Sequence, residues 1–101
     1  MALSKMQMSD MLSVYGKMLT DKQREAITMY CDCDCSLQEI ADEIGISRQG
    51  VRDAIVNGEK TFLKLEEALH LCEFSRRVAV ALNEVDTDSV LEIVKQFVSK
   101  E

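Results

Sequence analysis

Residues 36–55 read SLQEIADEIGISRQGVRDAI, and the fold turns on how this stretch is read. Leu37, Ile40, Ala41 and Ile44 recur at spacings of three and four. That spacing places them on one face of a helix, and Ser36 stands where a cap belongs. Gly45 supplies the residue that takes positive φ, ends such a helix and turns the chain sharply. Ile46 anchors the turn, Ser47 caps a second helix, and Val51, Ala54 and Ile55 form that helix's inner face. Ala41 falls where the second helix crosses the first, so a larger side chain there would push the two apart. The whole is a helix-turn-helix, whose second helix can enter a DNA groove.

The outward positions of the second helix are Ser47, Arg48, Gln49, Arg52 and Asp53. Arginine can bond bidentately to guanine and glutamine to adenine, while Ser36 and the backbone amides at helix starts can hold phosphates. Ser36, Ser47, Arg48, Gln49 and Arg52 are therefore the candidate nucleic-acid contacts. Charge opposes them. Between Ser36 and Gly58 two arginines face four acids, and Asp32 and Asp34 lie just before. Acids repel the phosphate backbone, and attraction to that backbone supplies most of a nucleic-acid binder's affinity.

Outward from the motif, helical patterning continues in both directions. Met8, Met11, Leu12, Tyr15, Met18 and Leu19 make a stripe on a helix expected over about residues 3–19. Thr20-Asp21-Lys22-Gln23 has capping-box spacing, and Ala26, Ile27 and Tyr30 face inward from the helix that follows. A helix that opens Leu-Thr-x-Lys-Gln-Arg and ends in Tyr just before the turn motif resembles region 4 of bacterial sigma factors. After Ser47 no breaker appears until about Glu84. Ile55, Gly58, Phe62, Leu65, Leu69 and Cys72 follow the 3.5-residue repeat of a coiled coil. Phe62, Leu65 and Leu69 outrun a three-helix core, so they are the candidate interface of a homodimer. The alternative is that the first and last helices cover the stripe within one chain. A bend is expected near Cys72-Glu73-Phe74-Ser75. A further face follows at Phe74, Val78, Ala81, Leu82 and Val85, with Arg76 and Arg77 outside. The last helix is expected from about Asp88 to Ser99, with Val90, Leu91, Val94, Phe97 and Val98 on its inner face.

The chain has 101 residues, no proline and four glycines, which suits one all-α domain with a single core. The helix-turn-helix core is expected over 20–58 and a helical extension over 59–101. Twelve Lys and Arg against 18 Asp and Glu give a net charge of −6, the reverse of the usual nucleic-acid binder. No signal peptide and no run of about 20 apolar residues is visible. A cytoplasmic protein with reduced cysteines and no membrane insertion is the expectation. Cys31-Asp32-Cys33-Asp34-Cys35 could hold a soft metal, but structural zinc sites usually place two to four residues between neighbouring cysteines, as C-x2-4-C, and here there is one. The other reading makes Cys31 and Cys35 small buried apolar residues and Cys33 a loop thiol. His70 has no nucleophile or carboxylate set beside it by spacing, and no glycine loop cradles phosphate. The chain reads as a non-enzyme that needs no cofactor.

Leu19–Arg24, Ser36–Glu43 and the string Ile46-Ser47-Arg48-Gln49-Gly50-Val51-Arg52-Asp53-Ala54-Ile55 closely resemble the YlxM family of small bacterial helix-turn-helix proteins. The likeness is strongest from about Met11 to Leu69. It implies a core like sigma region 4, followed by a long extension of the recognition helix and C-terminal helices. It also implies a part in the signal recognition particle pathway, because family genes sit beside those of the particle's GTPase or its receptor. The partners that follow are the particle's protein or RNA, with DNA as the ligand of a rival transcription regulator. A third reading, favoured by the net charge, is a dimeric protein that works through protein contacts alone. In this family bases commonly follow the motif. Here Val56 and Asn57 stand in their place.

Overall fold

Three times in the first 40 residues a Ser or Thr precedes a Glu or Gln by three positions, and each time a helix begins there. In the computed structural model, which describes residues 2–83 and 87–99, these are α1 (Lys5–Tyr15), α2 (Asp21–Cys31) and α3 (Leu37–Ile44). Ser4, Thr20 and Ser36 each accept the backbone N–H three residues on. Each backbone N–H in turn donates to the side chain of Gln7, Gln23 or Glu39. These reciprocal bonds satisfy amide donors that a helix start leaves unpaired. α4 (Arg48–Leu69), α5 (Leu71–Asn83) and α6 (Thr87–Ser99) complete the fold. No strand occurs among the described residues. The protein is all-α.

The chain divides into two compact units, Met1–Leu65 and Glu66–Glu101, where the sequence pattern suggests one domain. The first unit takes in α1 as well as the helix-turn-helix. Its core is built from Met8, Met11 and Tyr15 of α1, Leu19, Ala26 and Ile27 of and just before α2, Ile40 and Ala41 of α3, and Val51, Ile55 and Phe62 of α4. Met8 and Met11 are therefore interior side chains. Met18 falls off the expected stripe because α1 stops at Tyr15 and a 3-10 turn, Gly16–Met18, shifts the register. That turn leaves Met18 67 % exposed. Ile44 and Ile46 are half-buried at the edge of the motif rather than within its core.

The turn between α3 and α4 follows from Gly45, which sits at φ 72° and ψ 35°. Its N–H and that of Ile46 both bond to Ala41 O, at 3.0 and 3.2 Å, closing the helix end in the manner of a Schellman motif. Ser47 Oγ accepts the Gly50 N–H at 2.9 Å and so caps α4.

Phe62 is fully buried inside the first unit. It belongs to the chain's own core and offers nothing to a second copy, which corrects its place in the expected dimer stripe. One turn earlier, the nearly buried Glu59 accepts the N–H groups of Ala2 and Leu3, at 2.9 and 3.3 Å. The segment leading into α1 therefore lies along α4, which is part of the intramolecular cover that the sequence leaves open.

In the second unit the expected bend comes earlier than Cys72. It falls at His70, whose φ of 54° ends α4. Histidine is among the few non-glycine residues that tolerate this region. The carboxylate of Glu66 then accepts the N–H groups of Cys72 and Glu73, both at 3.0 Å. A carboxylate from the preceding helix thus caps α5. α5 and α6 pair antiparallel, with Phe74 against Phe97 at 4.4 Å between centroids and Arg77 donating to Gln96 at 2.6 Å. Cys72, Ala81 and Ile93 are buried here. Leu91, Val94 and Val98, expected on the inner face of the last helix, are exposed. Phe97, expected there too, does pack inward against Phe74, and Ile93 takes the other inner position. Glu84, Val85 and Asp86 lie outside the described residues.

Candidate nucleic-acid interface

α3 begins at Leu37 and α4 at Arg48, and the two starts flank one shallow depression of about 350 Å3. Its walls are Ser36, Leu37 and Gln38 on one side and Arg48, Gln49 and Arg52 on the other. Four of the five candidate contacts thus come together: Ser36, Arg48, Gln49 and Arg52. Ser47 does not line the depression. Its hydroxyl is spent on the α4 cap. Arg48 and Arg52 are four residues apart on a helix, hence on one face. Both are exposed, and neither is paired with a carboxylate among the described residues.

The acids around this face are more constrained than the sequence suggests. Gln49 donates to Asp53 at 3.0 Å and Gln38 to Asp42 at 2.9 Å. Each glutamine on the depression is thereby held in place by a carboxylate one turn further along its helix. The Ser36 backbone N–H, helped by the Ser36 hydroxyl, holds the Glu39 carboxyl below the usual carboxylate range. That carboxylate therefore occupies the backbone donor at the α3 start. Asp34, an unopposed acid in the sequence, has a base in space. Lys5 Nζ lies 2.6 Å from Asp34 Oδ1 and 4.5 Å above the Tyr30 ring. That ion pair raises the Lys5 pKa and lowers that of Asp34, above all through the hydrogen bond between them.

The same contacts fix the loop that delivers Ser36. Ser9 Oγ donates to Asp32 Oδ1 at 2.8 Å. The N–H groups of Asp32 and Cys33 bond to Thr28 O, and that of Cys35 to Met29 O. Asp34 takes φ 53°. The cysteines ride on this frame as half-buried Cys31, exposed Cys33 and half-buried Cys35. Partial burial, with Asp32 beside it, pushes the Cys31 thiol up to about 11. Burial and Glu39 raise Cys35 as well. A protonated thiol is a poor metal ligand, and no group of three or more ligating side chains is placed to hold a metal among the described residues.

A helix-turn-helix closed by Gly45, with Ser36, Arg48, Gln49 and Arg52 around one depression, is the arrangement that comparison with known proteins can place. Residues 3–99 match the UPF0122 family, described as "Putative helix-turn-helix protein, YlxM / p13 like". The chain belongs to UPF0122. A UPF0122 protein of Mycoplasma capricolum is 37 % identical over 93 residues, covering 92 % of this chain and 80 % of that protein. A UPF0122 protein of Lactococcus lactis subsp. cremoris is 47 % identical over 64 residues, 63 % of this chain and 58 % of its own. One of Clostridium kluyveri is 35 % identical over 74 residues, 73 % and 67 % of the two chains.

Leu37 and Gln38 are the lining residues that sequence reasoning misses in this UPF0122 chain. Both lie in the first turn after the Ser36 cap, and a side chain there can lean toward the neighbouring helix start. That is the available signal. Of the residues expected at a dimer interface, Leu65 is half-buried and Leu69 is 43 % exposed. No helix among the described residues is long and apolar enough to cross a membrane.

Proposed function

We propose that this UPF0122 protein is a non-enzymatic accessory or regulatory protein that binds nucleic acid through the face shared by α3 and α4. The observation that carries the reading is the pair Arg48 and Arg52, exposed and free of carboxylate partners on the wall of a depression completed by Ser36, Gln38 and Gln49. Two arginines one turn apart suit consecutive phosphates or a phosphate and a guanine edge. Gln49 remains able to read a base if it leaves Asp53. The setting that the family resemblance favours is the signal recognition particle pathway, with the particle's RNA as ligand. The rival setting is a transcription regulator on duplex DNA, supported by the helix-turn-helix itself.

The deciding experiment titrates the purified protein against particle RNA, particle protein and genomic duplex fragments at several salt concentrations. Preference for the RNA places the protein with the particle, and preference for one duplex fragment makes it a regulator. With Arg48→Ala and Arg52→Ala combined, binding is lost or its salt slope falls by up to about 1.8, at about 0.9 per duplex phosphate contact. Binding that survives the double substitution with an unchanged slope moves the site elsewhere. Binding to particle protein alone, with no nucleic acid bound even at low salt, makes the chain an interaction protein, the outcome its charge of −6 favours.

A further inference from the structure

The hairpin of α5 and α6 has two unlike sides. At 100° per residue, Ile93 and Phe97 of α6 face α5, while Leu91, Val94 and Val98 lie together about 115° around the helix from that line. On α5, Phe74 and Ala81 face α6, and Leu71, Ser75, Val78, Ala79 and Leu82 form one flank. Arg77 and Gln96 meet on one side of the hairpin, so in an antiparallel pair both apolar flanks fall on the other. The charged residues Glu73, Arg76, Arg77 and Glu92 lie off this second face, and Lys95, one turn from Leu91, borders its outer edge. It is open: Leu82 is 62 % exposed, Leu91 53 % and Val98 60 %. Bulky apolar side chains at helical spacing over two helices are more than the scattered exposed leucines a surface tolerates.

We propose that this face docks against the same face of a second copy of the chain, forming a four-helix bundle from two hairpins. Three features select a second copy. The face has a ridge on α6, made by Leu91, Val94 and Val98, and a groove on α5 at the small residues Ser75 and Ala79. A twofold axis between two copies lays each ridge in the other's groove, which is the self-complementarity an isologous interface requires. Two chains of net charge −6 can meet here at little electrostatic cost, because none of the hairpin's charged side chains named above lies on the face. The size is also adequate. Two helices of 13 residues make a face about 20 Å long and about 20 Å across at ordinary helix spacing. That is about 400 Å2 in plan, and the accessible area of so ridged a surface approaches the ~800 Å2 per partner of a stable complex. The association is independent of nucleic-acid binding, and it sits beyond Phe62, Leu65 and Leu69 in the chain.

The test is the mass in solution of the full chain at about 100 μM, by light scattering, for wild type and for Leu91→Glu with Val98→Glu. Wild type runs at about twice 11.4 kDa. The double variant runs as a helical monomer, its dissociation constant raised at least about 100-fold by carboxylates forced into an apolar interface. A monomeric wild type, or a variant that stays dimeric, overturns the proposal. If the variant loses its helical circular dichroism, amide exchange of wild type decides. Protection over residues 75–82 and 91–98 that rises with concentration supports the dimer, and protection independent of concentration refutes it.

Discussion

Gly58 has no side chain, and the reason lies on α2. A Cβ added at Gly58 would overlap Ile27 Cδ1, and Ile27 is itself fully buried. In an isolated helix Gly→Ala gains about 1 kcal/mol. Here the methyl group must displace a packed isoleucine, and overpacking costs about 1–3 kcal/mol. Gly58→Ala is expected to lower stability by up to about 2 kcal/mol, measured by urea unfolding. A gain in midpoint would mean that α2 and α4 do not press together at this point. The sequence lets Gly58 be read as permitting close helix approach, because a glycine in an unbroken helical pattern needs such a reason. What it cannot supply is the partner. Nothing in local spacing connects position 58 to position 27. Phe62 is read two ways for the same cause, since local spacing cannot say whether a stripe is covered within the chain or by a second copy.

Among the elements, legibility tracks how local the determining contacts are. The starts of α2 and α3 are readable from Thr20 and Ser36, and the α3–α4 turn from Gly45, because each is fixed within five residues. The start of α5 is not. Its cap is Glu66, six and seven residues back across a break at His70, and that arrangement leaves no short motif. The inner face of α6 is read only in part, right at Phe97 and wrong at Leu91, Val94 and Val98, for a related reason. Leu91, Val94 and Val98 form as good a stripe as Ile93 and Phe97, and periodicity cannot say which stripe the neighbouring helix covers. The Ser36 box carries a prediction at this scale. Ser36→Ala removes the acceptor for the Glu39 N–H and should destabilise the first unit by about 1 kcal/mol. The sign of the pH effect is set by Glu39, whose folded pKa is lowered. Its contribution is present above about pH 4.5 and is lost as pH falls through the lowered folded value. The Ser36 backbone N–H that holds this carboxylate survives in Ser36→Ala, so the pH dependence is read on Glu39→Gln, whose thermal melts and those of wild type are expected to differ at pH 7 and to converge in strong acid. A difference that persists at low pH would detach the cap from the Glu39 carboxylate.

At the scale of the whole molecule, charge and shape pull against each other, and the balance can be shifted without touching the fold. The candidate interface has its arginines forward, yet Asp42 and Asp53 stand one turn behind Gln38 and Gln49 on the same two helices. Each accepts one hydrogen bond from its glutamine. An asparagine carbonyl can accept the same bond, so Asp42→Asn with Asp53→Asn removes two negative charges while keeping both glutamines in place. Two unit charges 4 Å apart in water interact by about 1 kcal/mol, and at greater distances within a Debye length of about 10 Å by a fraction of that. Removing two repulsions of this size should tighten binding roughly three- to tenfold at low salt. The gain should shrink as salt rises, because it is electrostatic and exposed. Thermal stability should change little, since the Ser36 and Ser47 caps and the Gly45 turn are untouched. Fluorescence anisotropy on whichever nucleic acid the titrations select measures the gain. Unchanged affinity at low salt would show that the ligand does not approach α3 and α4 from this side, and the depression between their starts would lose its role.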